Sequence, residues 1–449
     1  MYSPIELAAW CGGTWHGNAS RSATFNGVFT DTRNPVPGAL FIALKGEKFD
    51  GHDYIGQAAA AGAAAALVDE VELRNCGIAE LRNFPLLAVK DTSVALTKIA
   101  AGYRAKINPR VVGITGSAGK TTVKEWSAAL LSAQFKTHKT SGNFNNHIGV
   151  PLSILAMPPD TEAAVFEVGT NHPGEIAPLA ALAKPDVAII TNIGTAHIEN
   201  FGSSDAIANE KADLVRALPS NGIAILDADS PHFTYLSAQS PCRVISTRDF
   251  PISDTDISTG AFTIDSHRIH TGQSGSHNIT NALLAIAAAR VMGVTWENIQ
   301  AAFTNIRNAP ALEGRWQRIV KNGVVFINDA YNANPVSMEK ALERFAMERA
   351  AGRKIAVLGD MFELGALAPD AHRAVGGCAA KSGLDLLVAV GAMSSGHMVA
   401  GAIAAGMPAS RIITFENTGA AKRGFAGLAG EGDSVLLKAS HSMRLDTLI

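Results

Sequence analysis

The chain has 449 residues, 47% of them apolar and 17% charged, with a formal net charge of −2. That length exceeds one core and implies several domains, while the charge balance excludes a nucleic-acid or anionic-membrane footprint. The longest apolar run, Ala58 to Val68, is well short of the roughly 20 residues that a membrane span needs, so no membrane insertion is expected. The opening MYSPIELAAW lacks a basic region followed by a long apolar one, which excludes a secretory signal and points to a cytoplasmic chain. Cys11, Cys76, Cys242 and Cys378 are far apart and form no C-x-x-C pair. They fit a reducing cytoplasm and no disulfide or zinc framework.

The first stretch, to about Lys90, offers short strands at Gly27–Phe29, Ala39–Ala43, Ala65–Val68 and Leu86–Val89. The alanines at 58–66 read as a small-residue helix packed close to a sheet. A helical pattern runs from Ser93 to Lys106 and breaks at Asn108-Pro109. Alternation then begins: strands at Ala163–Val168, Val187–Ile193, Gly222–Leu226 and Arg243–Ser246, with helices between. This pattern predicts a mostly parallel sheet covered on both faces. Residues 249–276 are polar and read as an antiparallel excursion, followed by a helix from Ile279 to Met292. Asn308-Ala309-Pro310 reads as a domain boundary. Beyond it come strands at Val324–Ile327, Lys354–Leu358, Leu386–Val390 and Val435–Lys438, with a helix at Met338–Ala351. The expected fold is α/β in three domains, the last a smaller doubly wound one.

The most informative stretch is Gly113–Thr122, GITGSAGKTT. The β-branched segment Arg110-Val111-Val112 precedes it and a helical segment, Val123 to Leu131, follows. Strand, glycine loop and helix is the setting of a phosphate-binding loop. Backbone N–H groups of Gly116, Ser117, Ala118 and Gly119 would face phosphate oxygens at a helix N-terminus. Lys120 would neutralise the terminal phosphates, Thr121 would place its hydroxyl on Mg²⁺, and Thr122 completes the loop. Ile114 occupies the first glycine position of the strict pattern, so the glycines are Gly113, Gly116 and Gly119.

Other polar residues sit where strands end. Glu167 closes an apolar run, His197 follows Thr191-Asn192-Ile193-Gly194, and Lys211 lies on the helix Asp205–Leu218. Ligands of open α/β sheets bind at the carboxyl ends of strands, so Glu167 and His197 can face what the loop holds and form a Mg²⁺ or Mn²⁺ site. The amide-rich segment Ser141–Gly149, with Asn143, Asn145 and Asn146, suits a sugar, peptide or phosphate ester, or caps the helix that starts near Val150. In Ile327–Pro335, Asp329 suits ribose hydroxyls and Tyr331 a base; the same residues also suit a plain turn. Gly359–Gly365 is similar, a strand end with an exposed aromatic.

These segments, in order, resemble the Mur ligase family of bacterial cell-wall synthesis across nearly the whole chain. The match includes D-T-R at Asp31–Arg33, L-K-G-E at Leu44–Glu47, D-G-H-D at Asp50–Asp53, G-S-A-G-K-T-T, and G-N-F-N-N-H-I-G at Gly142–Gly149. It continues through E-V-G-T-N-H-P-G-E-I at Glu167–Ile176, T-N-I-G-T-A-H at Thr191–His197, S-H-N-I-T-N-A at Ser276–Ala282 and E-G-R-W at Glu313–Trp316. It closes with N-D-A-Y-N-A-N-P at Asn328–Pro335 and G-D-M-F-E-L-G at Gly359–Gly365. The E-V-G-T-N-H-P-G-E-I and G-D-M-F-E-L-G segments are most similar to members that add D-alanyl-D-alanine. Lys438-Ala439-Ser440-His441-Ser442-Met443 departs from the family's usual K-G-S-R-S-M at Ala439 and His441, which bears on whichever substrate contact the usual arginine makes and does not touch the ATP site.

The resemblance implies a UDP-gripping domain at 1–90, an ATP-binding domain at 91–309 and a Rossmann-like ligase domain at 310–449. It implies Thr32, Lys45, Gly46, Asp50 and His52 on the UDP substrate. Asn281 would contact adenine, Arg315 the phosphate end, and Asp329 and Tyr331 the nucleoside. Thr121, Glu167, His197 and Lys211, the last as a carbamate, would hold two Mg²⁺ ions. Asn332 and Asn334 would work with Met361, Phe362 and Glu363 on the incoming dipeptide. The implied reaction joins D-Ala-D-Ala to UDP-MurNAc-tripeptide with ATP, in a monomer, through an acyl phosphate. Rival readings are a tripeptide-forming Mur ligase, a folylpolyglutamate-synthase-like ligase, a phosphate-loop switch, against which no Asn-Lys-x-Asp motif exists, or a kinase.

Overall fold

A computed structural model describes residues 2–17, 24–75, 83–308 and 313–449. The boundary expected at Ala309-Pro310, and Cys76, lie outside the described residues. Among the described residues the strands form three α/β sheets and a small antiparallel one.

The N-terminal sheet has five strands in the order 14–16, 86–89, 65–69, 40–42 and 28–29. All pairs are parallel except the edge strand Thr14–His16 on Leu86–Val89. The alanine run is not one helix. The helix Ile55–Ala60 stops before Gly62, whose φ of +92° turns the chain, and Ala65–Asp69 is a buried strand. β-Branched and small residues in a parallel core explain the switch.

The helix Thr92–Ile107, capped by Asp91, joins this sheet to the central one. The Tyr103 hydroxyl donates to Met157 O at 2.7 Å and Arg104 Nε to Ala183 O at 2.9 Å. The Tyr2 hydroxyl donates to Leu155 O. One apolar core therefore runs from Leu40 and Leu67 through Ile99 to Phe166 and Ile190.

The central sheet has six parallel strands in the order 243–246, 223–226, 187–190, 110–115, 163–167 and 137–139. The expected strand Val187–Ile193 ends at Ile190, because Thr191 and Asn192 turn away to bind the phosphate loop. The polar excursion forms three antiparallel strands, Ile252–Asp256, Ala261–Ile264 and His267–His270.

The C-terminal sheet runs 317–321, 324–328, 434–438, 354–359, 386–390 and 412–415, antiparallel only at the first pair. The expected helix Met338–Ala351 is Pro335–Met347. It starts earlier because Asn334 caps it, and it stops where Glu348 turns extended at ψ 141°. Ile198 and Ile207 of the central unit pack with Ile327, Met338 and Met361 of this one. Among the described residues no helix is long and apolar enough to cross a membrane.

Candidate active site

The strand Arg110–Thr115 is buried from Val111 onward, and its end launches the loop into the helix Lys120–Ser132. Two glycines are required there. A Cβ on Gly116 would stand 1.9 Å from Thr191 Oγ1, and one on Gly119 would stand 2.7 Å from Asn281 Oδ1. Both also have positive φ, +153° and +79°. The turn after Ile190 clasps the loop: Ala118 N donates to Asn192 Oδ1 at 2.8 Å, Ser117 N to Asn192 O at 3.1 Å, and Gly194 N to Ser117 Oγ at 2.9 Å. The loop is thus preorganised by neighbours rather than by its own glycines alone.

A cleft of about 1390 Å³ opens over this loop. One wall is the central unit: Ser117–Thr122, Asn143, Asn145, Asn146, Glu167, His197 and Asn281. The facing wall is the C-terminal unit: Arg315, Asp329, Tyr331, Asn332, Asn334, Phe362 and Glu363. Both walls are carboxyl ends of parallel strands, as the ligand rule for open sheets requires.

At the loop, Lys120 Nζ donates to Gly116 O at 2.7 Å. Burial, then the Arg315 charge, lowers the Lys120 pKa, and Glu167 opposes them. Glu167 is 2% exposed, and its oxygens accept from Thr121 Oγ1 at 2.9 Å and Asn145 Nδ2 at 2.9 Å. Lys124, fully buried one turn on, donates to Gly142 O at 2.9 Å and lies 3.9 Å from Glu167. A buried carboxylate beside a hydroxyl fits Mg²⁺, which takes one or two carboxylates and completes its shell with phosphates and water. Among the described residues no three His, Cys, Asp or Glu side chains gather as a metal cage.

Lys211 is 3% exposed on the helix Ser204–Arg216. Burial, then the nearby Lys120 charge, brings its pKa down to about 7, with Glu210 opposing. Its neighbour Glu210 accepts from Gly174 N at 2.7 Å and Ile176 N at 2.8 Å, which fixes the register of that helix. His197 has φ +58°, and its Nδ1 pairs with Glu363 across the cleft. That hydrogen bond lowers the Glu363 pKa.

On the facing wall, Arg315 lies 3.9 Å over the Tyr331 ring, whose centroid is 5.4 Å from that of His441. Asp329 accepts from Lys438 Nζ at 2.7 Å and Trp316 N at 3.1 Å. Phe362 is 48% exposed in the cleft.

Several expected contacts are taken up by the fold. Met361 is 2% exposed in the C-terminal core and offers no surface to the cleft. Asn334 Oδ1 accepts from Ser337 N at 2.9 Å as a helix cap, and Asn146 Oδ1 accepts from Gly149 N at 2.8 Å in the turn that leads into the helix Gly149–Leu155. His52 is 5% exposed, with Nδ1 on Asp50 Oδ1 at 2.6 Å and Nε2 accepting from Asp69 N at 3.0 Å. It braces the loop that carries Lys45, Gly46 and Asp50, and no ring nitrogen is left for a ligand. Lys45 pairs with Asp50 at 3.2 Å. These residues and Thr32 follow strand ends of the N-terminal sheet and do not line the cleft.

Sequence reasoning missed Lys124, His277 and Arg344. Arg344 lies 4.0 Å over the Trp316 ring of its own unit and donates to Ser274 Oγ of the central unit at 2.8 Å, so it ties the two walls together. Burial brings its pKa down to about 10. Burial, then the Arg344 charge, takes His277 down to about 4. His277 stood within the quoted S-H-N segment; Arg344 had no motif, only a helix position.

A phosphate loop facing a second strand-end wall defines a nucleotide-dependent enzyme with its cleft between two units. Family models agree: "Mur ligase family, catalytic domain" matches residues 24–104, "Mur ligase middle domain" 114–289 and "Mur ligase, glutamate ligase domain" 314–441. The chain belongs to the Mur ligase family. It is 36% identical to the UDP-N-acetylmuramoyl-tripeptide--D-alanyl-D-alanine ligase of Bacillus subtilis, over 99% of this chain and 96% of that one. The crystal structure of MurF from Acinetobacter baumannii superposes with a TM-score of 0.86 at 30% identity, covering 100% and 97% of the two chains. MurF ligase from Thermotoga maritima in complex with ADP gives 0.76 at 27% identity, covering 96% and 97%.

Proposed function

We propose that this chain is an ATP-dependent amide ligase that joins D-alanyl-D-alanine to the terminal carboxylate of UDP-N-acetylmuramoyl-tripeptide. The observation that carries the reading is the cleft itself, with a phosphate loop on one wall and an exposed Phe362 beside amides on the other. Relatives of nearly equal length bear that activity in their names. Residues 1–90, 91–309 and 310–449 serve as the UDP-, ATP- and amine-binding units.

A carboxylate and an amine do not condense in water without activation. The acceptor carboxylate attacks the γ-phosphorus of ATP, forming an acyl phosphate and breaking the bond to ADP. The amine of D-Ala-D-Ala then attacks the acyl carbon, phosphate leaves, and the amine gives up a proton. The first step brings two anions together. Lys120 and the N–H groups at the start of the helix Lys120–Ser132 stabilise the charge that collects on the transferred phosphoryl group, whereas Ser117 N and Ala118 N, expected on phosphate, are taken by Asn192. Thr121 and Glu167 would hold Mg²⁺, which when bound neutralises phosphate charge, and His197 and a Lys211 carbamate would serve a second ion. Arg344, through its bond to Ser274, holds the two walls together so that the acyl phosphate meets amine before water. Arg315 and Asp329 serve the nucleotide, and Phe362 the methyl groups of the dipeptide.

The test is phosphate release with UDP-MurNAc-tripeptide, ATP and D-Ala-D-Ala, each omitted in turn. Release that needs all three supports the reading. Release independent of D-Ala-D-Ala, or phosphate retained on the product, refutes it.

A further inference from the structure

A second cavity, of about 280 Å³, lies beside the cleft, and Asn146 lines both. The Asn145–Asn146 turn is the partition. On the cleft side, Asn145 Nδ2 holds Glu167; on the other, Asn145 O accepts from Gly169 N at 2.8 Å, and Gly169 lines the second cavity. The cavity is therefore adjacent to the carboxylate at the phosphate end of the site.

Its walls come from three helices. Thr97 stands on Thr92–Ile107, Pro151 on Gly149–Leu155, and Pro178, Leu179 and Leu182 on Ile176–Ala183. Among its described lining residues, Glu175 is the only Asp, Glu, Lys or Arg. The Glu175 carboxylate is half used. Oε2 accepts from Asn171 N at 2.7 Å, His172 N at 3.1 Å and Thr170 Oγ1 at 3.2 Å. Oε1 has only His172 Nδ1, at 3.8 Å. Apolar walls with a free carboxylate oxygen at one side match an aliphatic chain that ends in an ammonium.

The location supplies the occupant. An acceptor anchored on the N-terminal sheet must reach Glu167 and the phosphate loop. The helix Thr92–Ile107 spans that distance, and the cavity lies on its flank. The acceptor residue whose carboxylate reacts at the loop then has its side chain beside this cavity.

We propose that the cavity receives the side chain of the acceptor residue that carries the reacting carboxylate, and that Glu175 Oε1 pairs with its terminal ammonium. This rests on the ligase reading above. Lysine and diaminopimelate both offer that chain and ammonium; diaminopimelate adds a carboxylate.

The experiment measures KM for three UDP-MurNAc-tripeptides, with lysine, diaminopimelate or norleucine at residue three, by phosphate release. It compares the wild type with Glu175→Gln, which keeps an acceptor for the Asn171 and His172 amides, and Thr97→Lys. Thr97 is exposed, so the added ammonium competes for Glu175 without touching the core. Both variants should raise KM for an ammonium-bearing acceptor by about ten-fold or more, the usual size of a charge-assisted hydrogen bond. KM for norleucine acceptor, ATP and D-Ala-D-Ala should stay within two-fold or so. A loss confined to the lysine arm or to the diaminopimelate arm names the source, and either supports the proposal. Equal effects on all three acceptors, or none, overturn it. Wild-type enzyme that turns over none of the three overturns the ligase reading and this proposal with it.

Discussion

Removing the Lys120 ammonium should abolish ligation and leave the fold intact. Lys120 opens the helix Lys120–Ser132, and its Nζ curls back to Gly116 O at 2.7 Å. Lys120 is half-buried at the floor of the cleft, and its desolvation pulls its pKa below the ordinary lysine value. The site thus holds a partly desolvated cation that gains when an anion arrives. Two unit charges 4 Å apart at an effective permittivity near 20 interact by about 4 kcal/mol. Loss of one preorganised donor to developing charge typically costs about 2.7–4 kcal/mol, or about 10²–10³ in rate. Lys120→Ala should therefore lose about 10²–10³ in kcat, read by phosphate release and by chromatography of the ligated product. Stability gives an independent check. The folded pKa is depressed, so between it and the ordinary value the unfolded chain binds more protons than the folded one. Wild-type stability then rises with pH through that window, and Lys120→Ala loses this part of the slope without a drop in Tm. A folded Lys120→Ala enzyme within a few-fold of wild-type kcat would refute the phosphate-loop assignment.

Phe362→Ala should raise KM for D-Ala-D-Ala by about 1–3 kcal/mol and leave KM for ATP nearly unchanged, because the ring is half exposed on the wall that faces the loop. Equal damage to both would assign that loop to closure instead. Lys211, with its pKa brought down to about 7, carries a growing neutral amine fraction above that pH and should take up CO₂ there. A carbon-13 carbamate signal that appears above pH 7 and is absent in Lys211→Ala checks this; full activity in that variant sinks it. Asn334→Ala should cost about 1 kcal/mol in urea unfolding, the usual size of a lost helix cap. An unchanged unfolding midpoint would show that the Asn334 cap contributes nothing.

Much of the fold was legible because its signals are local. A buried parallel strand announces itself as a short apolar run, and Arg110–Thr115, Ala163–Glu167 and Leu386–Val390 all did. Boundaries slipped where a distant partner decides them. Ile190 ends its strand because Thr191 and Asn192 are needed on the phosphate loop, and nothing next to them in sequence says so. The alanine run misled for a different reason: alanine suits both a helix and a crowded parallel strand, and Gly62 alone marks the change.

Site residues divide along the same line. Placement fixed to a backbone motif was readable, as with Lys120, Thr121 and Glu167, which lie together at the loop. Polar residues in turns were harder to judge, because capping and ligand binding use the same atoms. Asn334 and Asn146 each face the cleft, yet their side-chain oxygens accept from helix N-termini, and His52 uses one nitrogen on Asp50 of its loop and the other on Asp69 N of the neighbouring strand. Arg344 shows the opposite error. Its helix position carries no motif, and only the approach of the central unit gives it Ser274 as a partner. The groups that join two walls of a site are set by tertiary geometry alone. In a ligase that must exclude water from an acyl phosphate, those joining groups bear on the reaction as much as the loop that binds the nucleotide.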